Sequence, residues 1–193
     1  MPLAHKLKFS NCIIAIWKTT ESFDDLKKET DISDIYTFKS EKRKKEILSR
    51  NLLLNEMIPE AELSYNNFGA PQINSNDNIS ISHSKNLVAI GFSKYKIGID
   101  IQKISEKALS LSPRFICERN LNNLSIEKAT LLWCCKEAIY KWYQKGSVNF
   151  KADIFIFPFK LKASGTISAK FKKEKLSLFY CKIDTFYLVY LCK

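Results

Sequence analysis

Apolar positions along this chain fall into short runs and long stripes, and the difference separates strands from helices. Asn11-Cys-Ile-Ile-Ala-Ile-Trp17 is a continuous apolar run and reads as a buried strand. Ile79 to Ser84 alternates apolar and hydroxyl residues, the period of a strand with one buried face. Leu87–Phe92 and Lys96–Ile101 follow as two further strands, which the pattern predicts to pair as a β-hairpin joined around Ser93 to Tyr95. In the second of them Ile97, Ile99 and Ile101 point one way, and Gly98, Asp100 and Gln102 the other. After Gly146 the segments Phe150–Phe157, Gly165–Phe171, Leu176–Ile183 and Phe186–Cys192 read as a run of strands.

Two stretches carry helical stripes instead. Glu41–Ile58 buries Ile47, Leu48, Leu52, Leu53, Leu54 and Met57 on one side, and Pro59 ends it. The second runs from an N-cap at Ser125, with Glu127 in the first turn, through about twenty residues to a stop at Gly146. Apolar residues surround so much of it, from Leu124 to Tyr143, that it must pack on more than one side. A weaker helix is expected over Ser22–Glu29, a turn over Asp31–Tyr36, and a helical stretch broken near Pro113 over Ser105–Arg119 before a loop at Asn120–Asn123. Tyr65–Ile73 is turn chemistry leading into an extended segment. The order of elements is that of an α+β protein.

With 193 residues, 46% of them hydrophobic, the chain can bury a sizeable core, and disorder is excluded. No apolar run approaches the roughly 20 residues of a membrane span, and the N-terminus lacks a signal peptide's apolar core, so the expected location is cytoplasmic and away from membranes. The six cysteines form no C-x-x-C pair and read as reduced packing residues. A formal charge of +11 favours an anionic partner without choosing among nucleic acid, a phosphorylated small molecule and an acidic protein.

Three groups of side chains ask for more than packing. Lys39, Arg43 and Arg50 line one stripe of the first long helix, widened by Lys42, Lys44 and Lys45, and a guanidinium at Arg50 is placed to grip a phosphate. Asp100 stands mid-strand among β-branched residues, where a buried carboxylate needs a cation, a metal ion or several donors. Gly98 beside it removes a side chain, which would let a ligand approach the backbone. On the second long helix Glu137 and Lys141 share a face with Trp133; alone, they read as an i,i+4 ion pair. His83 lies at a strand end among hydroxyls.

Gly98-Ile-Asp-Ile-Gln102 and, about thirty residues on, Trp133-Cys-Cys-Lys-Glu-Ala-Ile-Tyr-Lys141 together resemble the paired signatures of 4′-phosphopantetheinyl transferases of the surfactin-synthetase-activating type. Those signatures are Gly-(Ile/Val)-Asp-(Ile/Leu)-(Glu/Gln) and Trp-(Ser/Thr/Ala/Cys)-x-Lys-Glu-(Ala/Ser)-x-x-Lys. Gly69-Ala-Pro71 and Ile81-Ser-His-Ser84 stand where that family has two further motifs, and the resemblance is firm from about Lys39 to Asp153.

The resemblance implies two pseudo-twofold-related α/β lobes in one chain, residues 1–95 and 96–193, with the metal-binding motifs in the second. It implies coenzyme A in the cleft between them and Mg²⁺ or Mn²⁺ on its pyrophosphate. Asp100, Gln102 and Glu137 are then the metal residues; Glu137 is also the general base, and Lys141 and Lys136 face the phosphates. Ser82 and His83 bind the 3′-phosphate end of coenzyme A with Arg50 and Arg43. The partner is an acidic acyl or peptidyl carrier protein, received near Lys103–Asn123, and the enzyme acts as a monomer with no role for nucleic acid.

Two positions depart from the family. Gln102 stands where many members carry Glu, and Ala70 where a Lys or Arg often contacts a coenzyme phosphate. They raise the alternative of a homologue that binds coenzyme A or a carrier without turnover. A basic nucleic-acid-binding module is the other alternative; it gives Asp100 no role.

Overall fold

The structure is a computed structural model and describes residues 3–30, 32–117 and 124–193. Its elements in chain order begin with strands β1 (Leu3–Lys8) and β2 (Ile13–Lys18) and helices α1 (Phe23–Glu29) and α2 (Glu41–Met57). Short strands β3 (Leu63–Tyr65) and β4 (Pro71–Ile73) precede β5 (Asn78–Ser84), β6 (Leu87–Ser93) and β7 (Ile97–Lys103). Helices α3 (Glu106–Ser110) and α4 (Ile126–Tyr143) lead to β8 (Ile154–Ile156), β9 (Ser164–Phe171), β10 (Glu174–Ile183) and β11 (Phe186–Cys192). The expected loop at Asn120–Asn123 and the end of the stretch toward Arg119 lie outside the described residues.

Each long helix starts where a serine can cap it. Ser22, Ser40 and Ser125 accept the backbone N–H of Asp25, Arg43 and Lys128, opening α1, α2 and α4. α4 ends on Gln144 in the left-handed conformation (φ 61°), two residues before the glycine expected to stop it.

Two antiparallel sheets carry the core, one ordered β1-β2-β6-β5 and the other β7-β11-β10-β9-β8. The hairpin expected between β6 and β7 does not form. β6 pairs with β5 through the tight turn at Lys85, whereas β7 leaves for the second sheet and pairs with β11. The physical reason is that Ile97, Ile99 and Ile101 of β7 are fully buried against Ile14, Ile16 and Ala89 of the first sheet, face to face rather than edge to edge. Gly91 of β6 permits that approach, since a Cβ there would sit 2.8 Å from Ile99 Cγ2.

The outer faces are covered by the helices. α2 packs its Leu53 and Leu54 on Trp17, Val88 and Ile90 of the first sheet, and α4 lays Leu131, Cys135, Ala138 and Ile139 on the second. The α+β fold is therefore layered helix, sheet, sheet, helix, with one long helix per sheet.

Where β5 passes the outer edge of β7, the strands are joined by side chains instead of a backbone ladder. Ser80, Ser82 and Ser84 lie on one face of β5 and accept the N–H groups of Ile99, Ile101 and Lys103 at 3.0, 3.1 and 3.0 Å. The alternation of hydroxyls in Ile79–Ser84 is thus the seam between the two sheets, satisfying edge N–H groups that would otherwise be buried unpaired.

Candidate functional site

Asp100 is the buried charge at the centre of the site. It is 1% exposed, and β7 directs it away from the inter-sheet core toward α4. Gly98, one pleat earlier on the same face, makes room for the helix and not for a ligand: a Cβ there would fall 2.1 Å from Ala138 O and 2.6 Å from Trp142 N. The expectation that Gly98 opens the backbone to a ligand is corrected accordingly. The Asp100 carboxylate receives three donors. Lys141 Nζ and Ser82 Oγ each reach Oδ1 at 2.7 Å, and Gln102 Nε2 reaches Oδ2 at 3.0 Å. An ionised carboxylate taken out of water costs several kcal/mol unless it is compensated in this way.

Helix α4 delivers two of the expected site residues to this point and turns a third away. Lys141 pairs directly with Asp100. Glu137, one turn earlier, is raised to a pKa of about 7, first by burial and then by the Asp100 charge, against the pull of Lys141. Two carboxylates and an ammonium therefore share one poorly solvated volume. Lys136 does not join them. Its Nζ donates to the carbonyls of Phe150 and Ile154 at 2.5 and 2.6 Å, and burial lowers its pKa to about 8. One residue along a helix is about 100° of rotation, which takes Lys136 to a different face from Glu137. In this structure the lysine ties α4 to the 149–154 loop and does not line the cavity beside Asp100. Cys134 Sγ donates to Asp100 O at 3.1 Å, and burial holds its thiol well above the ordinary value.

Beside this group opens a cavity of about 250 Å³ between α2, β5 and the C-terminal end of α4. Arg43, Arg50, His83 and Lys141 line it, with Glu46 as the acid among its lining residues. Glu46 accepts from Arg43 Nη1 at 3.2 Å and stands 3.4 Å from His83 Nε2. Arg50 donates to Tyr65 Oη at 2.8 Å, and burial pulls its pKa down. Burial also lowers His83, with Glu46 opposing and Arg43 adding to the effect. Ser82 is not at this surface: it is 2% exposed and its hydroxyl is spent on Asp100 and Ile101. In this structure its side chain supports Asp100.

The sequence reading did not single out Glu46, Tyr65, Phe68 or Tyr140, all of which line the cavity. Glu46 was legible from its spacing, three from Arg43 and four from Arg50 on one helix face. Tyr65 at the end of β3 and Phe68 in the turn after it are large aromatics left 52% and 58% exposed, and nothing in the local pattern says which way they face.

Among the described residues there is no cluster of three or more His, Cys, Asp or Glu side chains arranged to hold a metal ion. The donor set does suit an oxygen-seeking divalent cation that completes its shell with substrate oxygens and water, because the Asp100 charge raises Glu137 and one ammonium contacts Asp100. No helix among the described residues is long and apolar enough to cross a membrane.

Residues 96–188 match the sequence model of the 4′-phosphopantetheinyl transferase superfamily, a span that holds β7, α4, Asp100, Glu137 and Lys141. The chain is also similar to the 4′-phosphopantetheinyl transferase Gsp of Aneurinibacillus migulanus, with 29% identity over 111 residues. That alignment covers 52% of this chain and 47% of the relative, so the chain spans about half the length of the curated relative it matches. The family match thus falls on the second sheet and its helix, the part of the chain that carries Asp100, Glu137 and Lys141.

Proposed function

We propose that this protein transfers the 4′-phosphopantetheine arm of coenzyme A to a serine of an apo carrier protein and releases 3′,5′-ADP. The observation that carries the reading is the junction of two unlike sites through one residue. Lys141 lines the cationic cavity and also contacts the buried Asp100 carboxylate, so an anion held by Arg43, Arg50 and His83 ends at the acidic pair. Coenzyme A has that shape, a phosphorylated nucleoside joined by a diphosphate to a neutral arm. Its phosphates would face Arg43, Arg50, His83 and Lys141, and its base would lie against Tyr65 and Phe68.

In the reaction the serine oxygen bonds to the phosphorus that bears the pantetheine, the bond from that phosphorus to the departing 3′,5′-ADP oxygen breaks, and the serine proton must be taken up. Glu137 would accept it, directly or through water. Lys141 holds negative charge on the diphosphate as it shifts to the leaving group. Mg²⁺ fits the donor set of Asp100 and Glu137 and supplies charge neutralisation on the diphosphate when bound. Gln102 offers an amide where a third acid would lower the charge further, and its Nε2 is turned toward Asp100.

Residues 1–95 and 96–193 would form the two lobes and a monomer the working unit, a reading supported by one chain supplying both walls of the cavity. A net charge of +11 suits an acidic carrier, steered at low salt. Its docking place is set near Lys103–Asn123, of which residues 118–123 lie outside those described.

The test is intact-mass spectrometry of an apo acyl carrier protein incubated with this protein, coenzyme A and Mg²⁺, beside an EDTA control and Glu137→Ala. A gain of one phosphopantetheine that needs both metal and Glu137 is expected. No gain on several carriers, despite measurable coenzyme A binding, would replace the reading with that of a non-catalytic homologue.

A further inference from the structure

Three donors hold the Asp100 carboxylate, and they are not equivalent. Ser82 is buried and fixed by the Ile101 N–H, so it cannot withdraw without leaving that group unpaired. Gln102 is neutral, and with the carboxylate ionised only its NH₂ end can face Oδ2. Lys141 is the charged donor, and its side chain is 25% exposed and reaches the cavity. It shares Oδ1 with Ser82 at the same 2.7 Å. A divalent cation taking up Asp100 cannot coexist with an ammonium in contact on the same oxygen, and of the two donors on Oδ1 Lys141 is the one with open space to move into.

We propose that Lys141 is the built-in occupant of the cation position on Asp100: it neutralises the buried carboxylate when no divalent ion is present, and it is displaced into the cavity when one binds. The inference rests on the reading of Asp100 and Glu137 as a divalent-cation site. Without the exchange, emptying the site would leave two carboxylates in one poorly solvated volume with no counter-charge. With it, the site stays folded and neutralised, and the ammonium is released on the side where the cavity collects anionic groups. Gln102 supports the same economy, since a glutamate in its place would put a third negative charge against Asp100 whenever the ion is absent. The cost is affinity. An ion must compete with an ammonium already in contact, so binding without an anionic co-ligand is weak.

The experiment is binding of Mn²⁺ alone, followed by the loss of the free-ion signal in electron paramagnetic resonance, with no coenzyme A and no carrier. Lys141→Met is expected to tighten Mn²⁺ binding by about tenfold or more, because a full charge at contact distance is removed. Lys141→Arg, which keeps charge and reach, is expected to stay within about threefold of the unaltered protein. Lys42→Met removes an exposed lysine of α2 near the same cavity and is expected to change binding less than about twofold, with any change vanishing at ~0.5 M salt, where exposed charges are screened. The Lys141→Met effect is expected to persist at that salt. Thermal melts confirm that each variant is folded, which Ser82 and Gln102 secure by remaining on Asp100. Unchanged or weaker Mn²⁺ binding in Lys141→Met overturns the proposal, as does an equal effect of Lys42→Met or loss of the effect in salt. The measurement is separable from the transferase reading. Lys141-dependent Mn²⁺ binding in a protein that modifies no carrier would leave the exchange standing, while carrier modification with Mn²⁺ binding indifferent to Lys141 would remove the exchange alone.

Discussion

Ser82 donates its hydroxyl to Asp100 Oδ1 at 2.7 Å and at the same time accepts the N–H of Ile101 at 3.1 Å, so one buried side chain both joins the two sheets and steadies the acid at the centre of the site. Ser82→Ala leaves an edge N–H unpaired in the interior and strips a donor from a buried carboxylate. A loss of about 1–3 kcal/mol is expected, more than for an ordinary exposed hydrogen bond. Ser84→Ala removes the same kind of bond at Lys103, where the seam meets solvent, and is expected to cost under ~1 kcal/mol. Urea unfolding of both variants checks the difference; equal losses would mean that burial does not set the value of these bonds.

Gly98 and Gly69 need glycine for opposite reasons, and alanine separates them. At Gly98 the added carbon meets the backbone of α4, 2.1 Å from Ala138 O, and neither partner is a flexible side-chain end. Gly98→Ala should push α4 off β7 and cost about 3 kcal/mol or more. Gly69 has no atom within 4 Å of the added carbon but holds φ +76°, so Gly69→Ala should cost only about 1 kcal/mol of backbone strain. Thermal unfolding of the pair decides this, and a mild effect at Gly98 would show that the helix and strand are not so tightly packed.

Both long helices, the Ser125 cap and most of the strands were legible because the period of an apolar stripe and the chemistry of a cap are local. What failed was pairing. Leu87–Phe92 and Lys96–Ile101 have the spacing of a hairpin, and only the burial of Ile97, Ile99 and Ile101 against a different layer sends the second strand to another sheet. β1 was missed because His5 breaks the apolar alternation between Leu3 and Leu7 in an edge strand, and the strand expected over Phe150–Phe157 shrinks to Ile154–Ile156. At the site, Asp100 stood out because a carboxylate amid β-branched residues contradicts its surroundings. Lys136 and Glu137 are neighbours in one motif, and only the position of the 149–154 loop shows that the lysine serves that loop, while the acid feels the Asp100 charge.

Arg50 tests the anion-binding side of the cavity. Its guanidinium is half-buried, held by Tyr65 Oη and Asn51 Oδ1, and aimed where the proposed coenzyme phosphate lies. Arg50→Ala should weaken coenzyme A binding by about 10- to 100-fold, the range of one or two charge-assisted bonds. Arg50→Lys should recover only part of this, since a single ammonium lacks the fork that grips two oxygens. Isothermal titration with coenzyme A and with dephospho-coenzyme A locates the contact. If Arg50→Ala loses affinity for the first but not the second, Arg50 serves the 3′-phosphate; equal losses place it on the diphosphate; no loss for either removes it from the site.

Lys136 makes a prediction in the opposite pH range from most buried charges. Its pKa falls from the ordinary 10.5 to about 8, with burial as the main cause. Between those values the unfolded chain still binds the proton and the folded chain has released it. Stability therefore rises with pH across that window, and the gain is lost as pH falls from 10.5 to about 8. In Lys136→Met that contribution is absent. The stability difference between the two proteins should shift in favour of the lysine by on the order of 2–3 kcal/mol from pH ~7.5 to ~10.5, less if water reaches the amine. Other lysines and tyrosines titrate in the same range but equally in both proteins, so the difference isolates Lys136. Guanidinium unfolding at four pH values measures it. A difference that stays flat would mean that the ammonium keeps its proton on the Phe150 and Ile154 carbonyls, whose short contacts then outweigh the loss of solvent.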